Sequence, residues 1–154
     1  MTIHVALGIL CAYIIKSVYP EASSAKLLFL GVLANLLPDA DHILYFTWYG
    51  AKSDYTKIVR QYFRTKQIRT LVNFIKQNHK NNTGIYSHNL LTVAIVLGSF
   101  WVLGITRDSP SLSVFFMSWS IHYIYDIFED LLFFKSLNPN WFFRFNSVRK
   151  KHEK

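Results

Sequence analysis

The stretch SWSIHYIYDIFED (118–130) sets an imidazole, His122, four residues ahead of a carboxylate, Asp126. On a helix that spacing stacks the two groups on one face, about one turn apart. There they can share a divalent metal ion, or they can form a buried hydrogen-bonded pair. A second stretch, LLPDADH (36–42), ends an apolar run (LLFLGVLANLL, 27–37) with Asp39, Asp41 and His42. Pro38 has no N–H to donate and disturbs the preceding turn, so a helix here is kinked or restarted. In an unbroken helix Asp39 and His42 share a face and Asp41 points away; a kink relaxes that restriction. The bland alternative is a polar helix N-terminus, where aspartates favour the helix dipole.

Four more histidines complete the inventory. His4 and His88 stand where the chain enters apolar segments, a position that suits capping or interfacial histidines as well as ligands. His79, in a basic loop, and His152, in the tail, are expected to be solvated. The only cysteine, Cys11, lies in an apolar run, which excludes an intramolecular disulfide and a Cys-based zinc site and leaves it a small packing residue.

These groups must be positioned by four apolar segments, at about 3–19, 27–49, 89–106 and 111–134. None is an unbroken run of the roughly 20 apolar residues that a simple spanning helix needs. The third and fourth come closest; the first two reach that length by including His4, Lys16 or the LPDADH cluster. Hydrophobic residues make up 51% of the chain and aromatics 17%, which suits a small membrane protein or a very apolar bundle. A length of 154 residues bounds it to one domain. The N-terminus lacks a basic leader and a clear cleavage site, so it is expected to be retained.

The net charge of +8 implies an anionic partner, lipid headgroups or nucleic acid. No nucleic-acid module, P-loop, GxSxG or nucleotide-binding glycine pattern is present. Eight basic residues against Asp54 alone fall in 51–87, and six more follow the fourth segment. With four spans, fourteen basic residues lie on one side and three on the other, which puts both termini and the 51–87 loop in the cytoplasm. Within that loop Ser53 can cap a helix bearing Tyr55, Ile58, Val59, Tyr62 and Phe63. Ile68, Leu71, Val72 and Ile75 resume the pattern after Lys66. Basic residues fill the remaining face, as in a helix lying on an anionic membrane surface; a solvated helix covering the domain is the alternative. NHKNNTG (78–84) reads as a turn-rich loop.

The expected fold is therefore all-α: about four apolar, membrane-spanning helices in a single domain, 1–154, with 51–87 a basic amphipathic cytoplasmic insertion. At 1.5 Å rise per residue, Asp39–His42 lie roughly 20 Å along the second segment. His122 and Asp126 lie at similar depth in the fourth, and His4 and His88 at the cytoplasmic ends of the first and third. All four segments bring polar residues to one level. Ionisable groups in spans are functional suspects, and a His/Asp donor set suits zinc, manganese or a similar divalent ion.

His4, GVLANLLPDADH (31–42), YSHNLL (86–91) and HYIYD (122–126) together resemble the membrane-bound metal-dependent hydrolases, a family that includes LexA-regulated inner-membrane proteins. NPNWFF (138–143) is similar to that family's segment after the last helix. The resemblance covers most of the chain outside 51–80. It implies a helical metal site distantly similar in ligand pattern to zinc-dependent phospholipase C, at His4, Asp39, Asp41, His42, His88, His122 and Asp126. The family's R-G-x-T-H-S stretch is here TGIYSHN (83–89), without the arginine that could help hold an anionic substrate.

The leading expectation is metal-assisted hydrolysis of a phosphoester, such as a phospholipid, at the membrane surface. His4, Asp41, His88, His122 and Asp126 are the foremost ligands. Asp39 or His42 completes the shell, orients a ligand or acts as general base. The rivals are a non-enzymatic membrane protein that binds or conducts metal ions and a soluble helical phosphoesterase.

Overall fold

A computed structural model describes residues 2–82, 85–106, 108–135, 137 and 141–142. Among them there are seven α-helices and no strand. Helix α1 spans Thr2–Val18 and α2 Ser24–Leu36. Helix α3, Ala40–Leu44, continues as a π-helical turn, Tyr45–Tyr49. Helices α4 (Asp54–Arg64) and α5 (Ile68–Asn82) follow. Helix α6, Leu90–Ser99, runs on as a π-helical stretch, Phe100–Ile105, and α7 spans Pro110–Phe134.

The local chemistry explains where these helices start. Ser23, Ser53, Asn89 and Ser109 each accept a hydrogen bond from the backbone N–H three residues on, satisfying a donor that the first turn leaves open. Pro110 follows its cap at the first helical position, where its missing N–H costs nothing. Pro38 breaks the second apolar segment, so that α2 and Ala40–Tyr49 meet at 45°.

Helices α1, α2 and α7 pack together around Cys11, Ala12, Ile15, Leu27 and Val114, and α6 lies against α7. The α1–α2 crossing is very close. A Cβ on Gly8 would lie 2.6 Å from the carbonyl oxygen of Gly31, and one on Gly31 would collide with the Gly8 carbonyl. Only glycine at both positions lets these backbones touch.

Two expectations need correction. The 51–87 insertion forms two helices joined through Lys66, whose φ of 57° is left-handed, and α5 runs to Asn82, through most of the expected 78–84 loop. Part of its apolar surface packs inside the protein. Tyr55 and Val59 of α4 and Phe74 of α5 pack on Tyr45, Phe46, Tyr49 and Ile85, and Arg60 donates to the Phe46 carbonyl at 2.6 Å.

The four apolar segments fold as helices, but among the described residues no single helix is long and apolar enough to cross a membrane. Thr2–Val18 and Leu90–Ile105 are apolar and short. The bent pair Ser24–Leu36 and Ala40–Tyr49 has the required length and composition. The tail beyond Phe142, with His152, lies outside the described residues.

Candidate metal centre

The Gly8–Gly31 contact fixes the first wall of the site. Helices α1 and α2 are joined by a short turn and run antiparallel, so His4, one turn before Gly8, comes level with Asn35, one turn after Gly31. Helix α7 closes over both. The Asn35 amide donates to the Ser118 carbonyl at 2.7 Å, and His122 Nδ1 donates to the Asn35 carbonyl at 2.6 Å. Asn35 lies in the last turn of α2, where carbonyls lack an intrahelical partner and Pro38 blocks a regular continuation. His122 takes the acceptor so released.

That bond places the His122 proton on Nδ1 and leaves the Nε2 lone pair for the site. Nε2 lies 3.1 Å from Asp126 Oδ2, and His88 Nε2 lies 3.2 Å from the same oxygen. His4 Nε2 is 3.7 Å from Asp126 Oδ1, and its ring stacks on that of His122 with centroids 4.2 Å apart. His122 is wholly buried and His4 nearly so. Among the described residues, two groups have donor atoms within 4.8 Å of one another: His4, Asp39 and His122, and His88, His122 and Asp126.

This donor set fits a metal ion. Ligands 2.0–2.1 Å from a tetrahedral zinc stand about 3.3 Å apart, and the three histidine–carboxylate distances bracket that value, at 3.1, 3.2 and 3.7 Å. One imidazole nitrogen has one lone pair, so His122 serves one ion. His122 is common to both groups, which together comprise His4, Asp39, His88, His122 and Asp126.

The structure gives the remaining sequence candidates other surroundings. Asp41 lies outside both groups. It accepts from the Tyr49 hydroxyl at 2.9 Å on Oδ1 and from the Ser87 N–H at 2.8 Å on Oδ2. Ser87 Oγ in turn lies 2.9 Å from His88 Nδ1. Asp41 therefore holds the loop that delivers His88. His42 also lies outside both groups: its Nδ1 is 3.9 Å from Asp39 Oδ1 and its ring meets that of His88 edge-on at 5.3 Å. The side chains of Asp39 and His42 are 34% and 27% exposed, against 18% for Asp126. They form the open rim of the centre.

Four contributors escaped the sequence reading of the site: Asn35, Tyr49, Ser87 and the pair Asp130–Trp141. The Trp141 indole N–H donates to Asp130 at 2.9 Å, and its ring lies 5.9 Å from that of His88. Asn35, Ser87 and Trp141 lie in the stretches that carry the family resemblance, GVLANLLPDADH, YSHNLL and NPNWFF. The others look like ordinary interfacial or loop residues until the chain folds.

An all-helical protein whose apolar helices converge on a buried His/Asp cluster is a candidate helical metalloprotein. The chain belongs to the YdjM inner membrane protein family, whose model matches residues 1–142, and so to the LexA-regulated metal-dependent hydrolases that its motifs resemble. No curated protein and no solved structure matches it.

Proposed function

We propose that the protein is a metal-dependent hydrolase at the cytoplasmic face of the membrane, acting on a phosphoester. The observation that carries this reading is the convergence of three histidines and a carboxylate, from α1, the loop before α6 and α7, at metal-ligand spacing. Charge asymmetry supports the sidedness, and the family's inner-membrane name supports the compartment.

His4, His88, His122 and Asp126 would hold the ion, with Asp39 a further candidate ligand. When bound, the metal, zinc or a similar divalent ion, supplies Lewis acidity toward a phosphoryl oxygen and lowers the pKa of water. Asp39 and His42, on the open rim, receive the substrate. His42 accepts the proton lost by the attacking water, and Asp39 steadies the imidazolium that results. The buried walls around His122 exclude other water.

Metal analysis of purified protein, paired with hydrolysis assays on phospholipids and soluble phosphoesters, tests this. The expectation is one ion per chain and phosphoester turnover, both lost in His122→Ala and Asp126→Ala. A folded wild type without metal would refute the reading. Bound metal with no turnover across a broad panel would favour the ion-binding alternative.

A further inference from the structure

The basic insertion has two apolar faces, and the fold uses only one. Tyr55, Thr56 and Leu71 are buried, and Val59, Tyr62 and Phe74 pack inward. The tip is different: every residue from Phe63 to Thr70 is exposed. Phe63 is 67% exposed and Ile68 53%, on either side of the turn, and Val72, one helical turn beyond Ile68, is 44% exposed. Arg64, Lys66 and Arg69 stand among them, and no acidic residue occurs from Tyr55 to Lys80.

We propose that this α4–α5 tip docks on an anionic lipid bilayer. Phe63, Ile68 and Val72 enter the boundary between headgroups and acyl chains, and Arg64, Lys66 and Arg69 pair with lipid phosphates. Charge complementarity selects the partner. Three exposed cations without a nearby acid favour an anionic surface, and exposed apolar side chains between them suit an interface that is wet on one side and oily on the other. A nucleic acid would satisfy the cations but leave Phe63 and Ile68 without a role. The hairpin is also anchored to the site: Tyr49, in its inner cluster, donates to Asp41, which holds the His88 loop. Docking thus fixes the metal centre beside the lipid surface. The inference rests on a membrane-embedded chain but not on hydrolysis.

The full chain carrying Phe63→Cys in a Cys11→Ala background, labelled with an environment-sensitive fluorophore and reconstituted into vesicles, provides the test. In phosphatidylcholine mixed with phosphatidylglycerol, the label is expected to be shielded from aqueous iodide severalfold and quenched by lipid-borne nitroxide. In phosphatidylcholine alone it stays open to iodide, as does a label at Asp54→Cys in both vesicles. Arg64→Glu/Lys66→Glu/Arg69→Glu abolishes the shielding with metal content unchanged. High salt does the same to the unaltered tip, without relying on that variant's folding. Iodide access in both vesicles would overturn the proposal and leave the tip to a protein or nucleic-acid partner. Equal shielding in both would overturn the role of charge. Metal content reports separately on the catalytic reading.

Discussion

His122 Nδ1 and the main-chain carbonyl of Asn35 are joined across the α2–α7 interface by a 2.6 Å hydrogen bond. The bond links the helix break at Pro38 to the candidate metal centre, because it consumes a carbonyl from the last turn of α2 and fixes which nitrogen of His122 faces Asp126. A proline that reads in the sequence as an interruption therefore helps to set a tautomer.

Pro38→Ala tests that link. An N–H at position 38 lets α2 run on, and the Asn35 carbonyl then has the N–H of Asp39 as a competing partner. Outer partners of ligating histidines are worth about 10–100-fold in metal affinity, so a loss of about tenfold is expected in competition with a chromogenic chelator. Unchanged affinity with retained helicity would show that the proline does not act through His122.

Asp41 and Asp126 should fail differently. Asp126→Asn removes a ligand, and metal stoichiometry is expected to fall toward zero. Asp41→Asn loosens Ser87 and His88 but leaves the ligands in place, so the stoichiometry holds while affinity drops about 10–100-fold. Tyr49→Phe, which removes one donor to Asp41, falls between Asp41→Asn and wild type. Zero metal in Asp41→Asn would promote Asp41 to a ligand.

Metal removal should destabilise the fold, because ligands from α1, the loop before α6 and α7 are tied at one point. An ion that binds only the folded state at a hundred times its Kd contributes about 2.7 kcal/mol. Chelation is expected to lower the unfolding temperature of the wild type and to leave Asp126→Ala unmoved. An equal shift in both would mean that the chelator acts elsewhere.

The glycine contact predicts a sharp contrast. Gly8→Ala places a methyl 2.6 Å from a backbone oxygen and 2.8 Å from Val32 Cα, neither of which can rotate away. It should cost about 1–3 kcal/mol and weaken metal binding by displacing His4. Gly98→Ala meets nothing within 4 Å in the interior of α6 and should stabilise by about 0.5–1 kcal/mol. Denaturant unfolding of the two variants decides the matter.

Burial pushes the Tyr55 hydroxyl up to about 12 from an ordinary 10. The neutral form is favoured in the folded hairpin, so its stabilisation is complete below pH 10. It is lost between about pH 10 and 12 as the unfolded chain ionises first. Tyr55→Phe should resist alkaline unfolding better than wild type over that window, by circular dichroism. Parallel alkaline transitions would contradict it.

Much of the helix plan was legible, because it rests on local physics. Apolar runs marked the four segments, helical periodicity the insertion, Pro38 the break, Ser53 a cap and HYIYD one face of α7. His4, Asp39, Asp41, His42, His88, His122 and Asp126 stood out as ionisable groups in or beside apolar segments, where they have few cheap reasons to be. The sequence by itself determined this helical plan, the chemical type of the site and the basic character of the insertion. Tertiary structure decided the rest. It turned Asp41 toward Tyr49 and Ser87, brought Asn35 to His122, and divided the apolar residues of α4 and α5 between an inner core and an exposed tip. Periodicity reports which residues share a face of one helix, but not which neighbour that face meets. Hydrogen bonds across helices depend on how closely the backbones approach, and here Gly8 and Gly31 set that distance.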